Sequence, residues 1–181
     1  MKFVRTSIPE VVVIEPVIHG DHRGYFMETW REEWLGEIGQ NVKFVQDNQS
    51  KSRHGTLRGL HYQVKHAQGK YIRVLDGEIF DAVVDLRKSS ATFGQWVGVT
   101  LSSDNKKSLW VPAGFAHGFL VLSESAEITY KCTDYYAREY ERSLLWNDQE
   151  IGIKWPTISG DLLLSDKDSN ATPLSKCELY P

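Results

Sequence analysis

The chain has 181 residues, a length expected for one domain with a substantial hydrophobic core. Its net charge of −3, spread along the chain without charged blocks, argues against a nucleic-acid-binding or lipid-binding protein. Hydrophobic residues make up 41% and charged residues 25%, the balance of a soluble globular protein. The composition therefore predicts a single domain over residues 1–181, with neither nucleic acid nor membrane as a partner.

No segment of the sequence is expected to cross a membrane or to direct secretion. No apolar run approaches the roughly 18 to 20 residues of a membrane helix, and residues 1–13 lack the apolar core of a signal peptide. Cys132 and Cys177 lie far apart and form no CxxC pair, which indicates neither a disulfide framework nor a zinc knuckle. We therefore expect a cytoplasmic protein with two reduced thiols.

Turn-forming residues recur about every 8 to 12 positions, the spacing of an all-β sandwich or barrel. The exception is a short amphipathic helix predicted over residues 29–38, where Thr29 and Glu32 can form a capping box. Its apolar residues at helical spacing are Trp30, Trp34 and Ile38. The predicted strands cover residues 11–14, 25–28, 42–47, 57–63, 70–75, 78–86, 95–101, 108–111, 118–122 and 127–135.

The dipeptide Asp76-Gly77 is a strong local hairpin signal, because it is favoured in two-residue type I′ turns. Such a turn pairs residues 70–75 with residues 78–86 and places Lys70 on an otherwise apolar face, diagonally across from Asp81. A lysine there can protect a sheet edge or serve as an internal cation. Because a carboxylate is expected nearby, we favour the internal cation.

A second hairpin is predicted through residues 122–127. Its register makes Phe119 face Tyr130 and places His117 on the same face, opposite Cys132. Each of these polar groups alone is more often a satisfied core residue than a functional one. Two hairpins with polar groups on their inward faces together predict a pocket.

Residues 112–117 read PAGFAH, and the pattern PxGxxH before an apolar strand resembles the second signature of cupins, which are small jelly-roll barrels. The resemblance implies that His117 points into the barrel. The first cupin signature has the form GxxxxxHxHxxxxExxxxxxG. This chain keeps its glycine and first histidine as Gly55 and His61, and Gly77 fits the closing glycine.

The chain departs from the first signature where a cupin binds its metal. Gln63 replaces the second histidine, and Ala67 and Gln68 stand near the glutamate position. A divalent transition metal prefers about three imidazole or carboxylate ligands, and only His61 and His117 remain. We therefore predict a mainly β, cupin-type double-stranded β-helix (jelly roll) with no metal, one short N-terminal helix and a few short C-terminal helical turns.

Without a metal, the chemistry falls to the polar side chains expected inside, which are His61, Lys70, His117 and Tyr130. A base, a cation and a phenol suit proton abstraction beside a carbonyl group. A preorganised donor at the enolate oxygen typically contributes about 3 to 4 kcal/mol, and Lys70 can supply it. His61 can take the proton and Tyr130 can return one to the other face, which inverts the carbon.

Five stretches, in order along the chain, resemble the dTDP-4-dehydrorhamnose 3,5-epimerase family: DHRGYFME at 21–28, FVQDNQS at 44–50, LRGLHYQ at 57–63, GFAHGF at 114–119 and YKCTDYY at 130–136. The resemblance implies that His61 is the general base paired with Asp168, that Tyr130 is the general acid, and that Lys70 lies beside the C4 carbonyl oxygen. The implied substrate-binding residues are Arg23, Glu28, Gln46, Asn48, Arg58, His117, Glu141 and Lys167, with Phe26 and Tyr136 as aromatic contacts to the thymine.

The resemblance also implies the reaction and the assembly. The family inverts C3 and C5 of dTDP-4-dehydro-6-deoxyglucose in dTDP-L-rhamnose biosynthesis, without a metal or an organic cofactor. Its members are homodimeric jelly rolls in which residues near the N-terminus of one subunit reach the site of the other. We expect the same dTDP-sugar substrate and homodimer for this chain.

One local irregularity follows from the implied roles. Arg58 and His61 differ by three positions and would point to opposite faces of a regular strand. Both can reach one pocket only if the strand bends, and Gly59 is the natural bulge residue between them. We predict a bulge there.

Three alternatives stay open at this point. The first is a mono-epimerase that inverts only C3 or only C5, because the same base and acid serve both carbons. The second is a metal-dependent cupin such as a dioxygenase or a phosphosugar isomerase. The third is a non-catalytic sugar-binding or storage cupin, which has no need of a base and an acid.

Overall fold

The computed structural model describes residues 1–181 and contains thirteen strands and two short helices. The strands are β1 Lys2–Arg5, β2 Val12–Glu15, β3 Ile18–Asp21, β4 Gly24–Met27, β5 Gln46–Arg53, β6 Leu57–Gln63, β7 Lys70–Asp76, β8 Glu78–Asp85, β9 Trp96–Ser102, β10 Ser108–Val111, β11 Phe115–Val121, β12 Ser125–Cys132 and β13 Glu141–Ser143. The helices are α1 Glu33–Glu37 and α2 Asp166–Ser169, with 3-10 turns at Arg138–Tyr140 and Leu174–Lys176.

Two antiparallel sheets pack face to face. The first has the order β1-β2-β10-β7-β12-β5 and the second the order β13-β6-β11-β8-β9, while β3 and β4 form a separate two-stranded ribbon. Several consecutive strands lie in different sheets, which is the connectivity of a jelly roll. The predicted mainly β, cupin-type fold is confirmed, and the C-terminal helical turns are present. Neither helix is long or apolar enough to span a bilayer.

The core lies between the inner faces of the two sheets. Ile72 and Val74 of β7 and Ile79 and Val83 of β8 belong to one buried cluster, together with Phe119 of β11. Burial of each such side chain contributes roughly 1.5 to 3 kcal/mol. The apolar residues that alternate along these strands therefore point toward the opposite sheet.

Both predicted hairpins are wrong. Strand β7 pairs with β10 and β12, whereas β8 pairs with β9 and β11, so the Asp76-Gly77 turn crosses between sheets. Residues 122–127 cross in the same way, because β11 and β12 lie in different sheets. The faces that the hairpin register placed side by side instead oppose each other across the core.

The predicted helix is also shorter than expected. It begins after Glu32 rather than at Thr29, and no side chain caps it. The carbonyl of Thr29 accepts a hydrogen bond from Tyr71 (2.9 Å), and the Trp30 ring packs against Phe44, 4.7 Å between centroids. These tertiary contacts hold the start of the segment outside the helix. Trp34 is buried, as predicted.

A buried carboxylate closes the end of β8. Asp85 is fully buried and accepts hydrogen bonds from Arg87 Nη2 (2.7 Å), Ser90 Oγ (2.6 Å) and Thr92 Oγ1 (2.6 Å). Burial alone would raise the pKa of Asp85, but these bonds outweigh it and lower the pKa to about 2. The ionised carboxylate therefore stabilises the turn that follows β8.

We expect Asp85→Asn to lower the free energy of unfolding by about 2 kcal/mol near pH 7, which corresponds to a carboxyl pKa lowered from 3.8 to about 2. Because the folded-state pKa is the lower one, this contribution is full above about pH 5 and is lost as the pH falls toward 2. Urea unfolding near pH 7 and near pH 3 measures the difference, with the exposed Asp104→Asn as control. A loss that does not shrink at the lower pH would contradict the ionised carboxylate.

Candidate functional site

Side chains from both sheets line one cavity of about 160 Å³ in the sandwich interior. Lys70 and Tyr130 come from β7 and β12 of the first sheet. Arg58, His61 and His117 come from β6 and β11 of the second sheet. The structure thus brings the base, cation, imidazole and phenol of the sequence analysis into one space, although not through the hairpins expected there.

His61 forms a dyad with a carboxylate from the C-terminal region. Its Nε2 lies 2.6 Å from Asp168 Oδ1, and Ser165 donates to Asp168 Oδ2 (2.7 Å). Burial raises the pKa of Asp168, but the bonds from His61 and Ser165 outweigh it, so the carboxylate is ionised. Because the carboxylate accepts from Nε2, His61 Nδ1 is left as the proton acceptor.

The His61 ring is held in its neutral form. Burial lowers the pKa of His61 below its ordinary 6.5, and the bond to Asp168 only partly offsets this effect. The positive charges of Lys167 and Lys70 lower it further. A neutral, oriented imidazole is the state that a general base needs near pH 7.

Lys70 is a partly buried residue that lines the cavity, and its amine forms no hydrogen bond or ion pair to another side chain. It lies opposite Cys132 on the neighbouring strand. Burial lowers the pKa of Lys70, while the negative charges of Asp81 and Glu141 oppose that change. Its donors are therefore free to bond to a ligand in the cavity.

A second imidazole–carboxylate pair, His117 and Asp81, lies at the wall of the cavity. His117 Nε2 is 2.8 Å from Asp81 Oδ1 and 3.0 Å from Oδ2, and Asp81 is fully buried. No group of three or more His, Cys, Asp and Glu side chains is arranged to hold a metal ion. Each of the two cavity histidines bonds instead to a carboxylate of its own.

Tyr130 presents a protonated phenol from the sheet opposite His61. It lies beside Asn48 in the β12–β5 pairing. Burial raises the pKa of Tyr130 above its ordinary 10, and the positive charge of Arg58 opposes this only in part. The phenol can therefore donate a proton at neutral pH.

The predicted bulge at Gly59 is confirmed. His117 pairs with His61 and Phe119 pairs with Arg58, so the register of β6 against β11 shifts between them. Gly59 has a φ of 127°, and a Cβ there would lie 2.6 Å from the Cα of Gly118. This close approach requires glycine. The irregularity lets Arg58 and His61 line the same cavity.

Five further residues of the implied site form a hydrogen-bonded chain at the cavity mouth. Lys167 Nζ donates to Glu141 Oε1 (2.9 Å), and the Tyr136 hydroxyl donates to Glu141 Oε2 (3.1 Å). Gln46 accepts from the Tyr136 backbone N–H (2.9 Å) and donates to Asn48 Oδ1 (3.1 Å). This series of hydrogen bonds joins α2, which carries the dyad carboxylate, to the loop after β12.

Within one chain, three of the implied binding residues lie outside the cavity. Arg23 and Phe26 belong to the exposed β3–β4 ribbon region, where Arg23 pairs with Asp21. Glu28 follows the ribbon and pairs with Arg31. None of the three lines the cavity that contains His61.

Several residues around the site were not predicted from the sequence. Arg53 lines a groove of about 320 Å³ beside Asp168, together with Arg58 and Lys167. Ser165 orients Asp168, and the Ser-x-x-Asp spacing of a helix N-cap is a local signal that could have identified it. Asp81 was predicted only as a neighbour of Lys70. No local sequence pattern indicates its hydrogen bond to His117.

Comparison with known proteins identifies related sequences and structures. A family model described as dTDP-4-dehydrorhamnose 3,5-epimerase matches residues 5–176. Proteins of that name from Pseudomonas aeruginosa and Shigella flexneri are 51% and 54% identical, covering 100% and 94% of both chains. A Legionella pneumophila dTDP-6-deoxy-D-glucose-3,5-epimerase, solved with dTDP-4-keto-L-rhamnose, is 48% identical with a TM-score of 0.96, and the match covers 99% of this chain and 97% of that one.

These matches extend over nearly the whole chain. The chain belongs to the dTDP-4-dehydrorhamnose 3,5-epimerase family.

Proposed function

We propose that this protein inverts C3 and C5 of dTDP-4-dehydro-6-deoxy-D-glucose to give dTDP-4-dehydro-L-rhamnose, without a metal or an organic cofactor, in the cytoplasm. The observation that carries the proposal is the arrangement of the cavity. A neutral His61 bonded to Asp168 and a protonated Tyr130 enter it from opposite sheets, and Lys70 lies in the same space. This is the set of groups that stepwise deprotonation and reprotonation beside a ketone requires.

Each inversion proceeds through an enolate. His61 Nδ1 removes the proton from the carbon beside C4, and the electron pair of that C–H bond moves onto the C4 oxygen. Lys70 donates a hydrogen bond to this oxygen, which typically stabilises such a transition state by about 3 to 4 kcal/mol. Tyr130 then delivers its proton to the opposite face of the carbon. The phenolate regains a proton from solvent and the protonated His61 releases its proton to solvent, so both groups return to their starting states before the second inversion.

The cationic groove beside Asp168 is the proposed diphosphate site. Arg58 forms no ion pair within the chain and can offer two parallel hydrogen bonds to phosphate oxygens. Lys167 adds a point charge and is held by Glu141. Tyr136, half exposed at the cavity mouth, is the proposed stacking surface for the thymine. We assign His117, Gln46 and Asn48 to sugar and nucleotide contacts.

The β3–β4 ribbon supports a homodimer in which each subunit completes the other's site. The ribbon pairs only with itself, and Tyr25 and Phe26 are 58% and 69% exposed. Exposed aromatic side chains of this kind are typical of an interface. We propose that Arg23, Phe26 and Glu28 enter the partner subunit's cavity.

Mixing two inactive variants tests this exchange. Arg23→Ala and His61→Ala chains, unfolded and refolded together, form heterodimers that hold one fully intact site if the ribbon crosses. Random pairing then restores roughly a quarter of the wild-type activity, because half of the dimers carry one intact site each. Activity that stays at the level of the separate variants would contradict the exchange.

The reaction itself is tested by incubating the purified enzyme with dTDP-4-dehydro-6-deoxy-D-glucose in heavy water. We expect NMR to show deuterium at both C3 and C5 and the stereochemistry of dTDP-4-dehydro-L-rhamnose. Deuterium and inversion at one carbon would identify a mono-epimerase instead. Loss of activity on treatment with a chelator, restored by a divalent metal, would contradict the metal-free reaction.

We expect Tyr130→Phe to separate proton removal from inversion. The variant keeps the ring but loses the phenolic proton, so product formation should fall by roughly 10² to 10³-fold while deuterium exchange into the substrate changes much less. Tyr140→Phe is the matched control, because the Tyr140 ring lines none of the site cavities and contacts His66 and Lys65. Unchanged inversion in Tyr130→Phe would argue against the acid role.

We expect Asp168→Asn to lower kcat/KM by roughly 10² to 10⁴-fold and to move the acidic limb of its pH profile to lower pH. The direction follows because Asp168 raises the pKa of His61, so a neutral partner lets that pKa fall further. Asp166→Asn, on the same helix and exposed, is the control. An acidic limb that moves upward would contradict the charge coupling.

A further inference from the structure

The loop that follows β12 is held mainly by side chains; within residues 134–137 the Ala137 carbonyl also accepts a backbone hydrogen bond from the Tyr140 N–H (3.0 Å). Residues 134–137 carry Tyr136, and each of them has a backbone group bonded to a glutamine. Gln68 donates to the Asp134 carbonyl (2.8 Å), Gln63 donates to the Tyr135 carbonyl (3.2 Å), Gln46 accepts from the Tyr136 N–H (2.9 Å), and Gln63 accepts from the Ala137 N–H (2.8 Å).

Gln63 is the central member of this set. It lies on β6 two residues after His61, and it is 4% exposed. Its amide also donates to the His66 carbonyl (2.7 Å), so both its N–H donors and its oxygen are bonded. Because it bonds to the residues on both sides of Tyr136, it links the strand that carries His61 to the backbone that carries Tyr136.

We propose that Gln46, Gln63 and Gln68 form a glutamine clamp that positions Tyr136 for the nucleotide, with Gln63 and Gln68 as positioning residues that need not touch the substrate. The inference rests on the proposed function in one respect, which is the role of Tyr136 in binding the thymine. Without the clamp, the half-exposed loop must lose conformational freedom when it binds. With the clamp, that loss occurs on folding, and the nucleotide meets a preformed surface.

The clamp also assigns a role to two positions at which the sequence departs from the cupin signature. Gln63 replaces the second histidine of that signature, and Gln68 stands near its glutamate. Neither amide lies in a cluster of metal-ligating side chains, and both bond to the same loop. Two positions that resemble metal-ligand positions therefore serve the nucleotide end of the proposed site.

The test compares Gln63→Leu and Gln68→Leu in the full-length enzyme. We expect each to weaken dTDP binding, measured by calorimetry, and Gln63→Leu to do so by roughly tenfold, because it removes both Gln63 hydrogen bonds to the loop as well as the one to the His66 carbonyl. At saturating substrate, kcat should change by less than about threefold, since the reacting groups are untouched. The Ala137 amide should exchange its hydrogen faster. Gln149→Leu, whose amide bonds only to the carbonyl of Asn147, is the matched control.

A double-mutant cycle with Tyr136→Ala separates positioning from general destabilisation. If the clamp acts through Tyr136, the glutamine variants cause little further loss of dTDP affinity in the Tyr136→Ala background. An equal loss in both backgrounds would overturn the clamp, as would unchanged dTDP affinity in both glutamine variants. If Gln63→Leu does not fold, Gln68→Leu, which removes one hydrogen bond, decides the question.

The outcome for Tyr136→Ala alone distinguishes the clamp from the proposed function. Unchanged dTDP affinity in that variant would contradict the assigned thymine contact and with it the purpose of the clamp. Weakened affinity in Tyr136→Ala, together with wild-type affinity in both glutamine variants, would contradict the clamp and leave the thymine contact in place.

Discussion

His61→Asn is expected to abolish both deuterium exchange at C3 and C5 and product formation, lowering kcat/KM by roughly 10³ to 10⁴-fold. Asparagine keeps a polar side chain of smaller size, but it has no basic nitrogen to accept the proton, and its amide is too short to replace the bond from Nε2 to Asp168. Proton removal precedes every later step of the proposed reaction. The loss should therefore be equal for exchange and for inversion, in contrast to the split expected for Tyr130→Phe.

The matched control is His66→Asn. The side chain of His66 is 56% exposed, and the residue has a φ of 52°, a conformation that asparagine tolerates well. This variant should exchange and invert at wild-type rates. Deuterium exchange retained in His61→Asn, in a protein that unfolds at the wild-type temperature, would remove His61 as the base.

The inward-facing residues could be predicted from the sequence because the alternation of apolar and polar residues defines which face of a strand is buried. The bounds of β6 and β10 agree with the prediction, and His117 and Tyr130 both face the interior. The Gly59 bulge followed from a conflict between residue spacing and the implied role of Arg58. The buried faces thus follow from the chain's own periodicity, whereas the bulge also required the family resemblance that assigned Arg58 to the site.

The pairing of strands could not be predicted in this way. A turn such as Asp76-Gly77 has the same local signals whether it joins neighbours in one sheet or crosses to the opposite sheet. In the structure a Cβ on Gly77 would lie 2.0 Å from the Ser125 carbonyl oxygen. Glycine is therefore needed here because the backbone at the start of β12 packs closely against the turn. The predicted strand 42–47 also begins too early, because Phe44 packs in an aromatic cluster before β5 starts.

Contacts between residues far apart in the sequence also could not be predicted from local sequence patterns. His61 and Asp168 are 107 positions apart, and only the family resemblance paired them. The bonds from Gln63 to the loop after β12 span more than 70 positions. The sequence showed that Gln63 departs from a metal ligand, but only the fold shows what the amide does instead.

We expect Lys70→Met to lower kcat/KM by roughly 10² to 10³-fold, because it removes the proposed donor to the C4 oxygen from a buried site. Methionine is close to lysine in length and apolar, so it fills the same space without leaving a charge uncompensated. Deuterium exchange and inversion should fall together, since both need the enolate. Lys88→Met, at an exposed position, should have wild-type rates.

The proposed reaction also gives the unpaired amine of Lys70 a function. The free Lys70 has no hydrogen-bond partner among the side chains, and burial opposes its charge. A developing enolate oxygen supplies the partner that the free protein lacks, so the bond strengthens as the reaction proceeds and stabilises the transition state more than the substrate. Lys70→Met should therefore lower kcat far more than it raises KM. A variant with a raised KM and an unchanged kcat would show that Lys70 only binds the sugar.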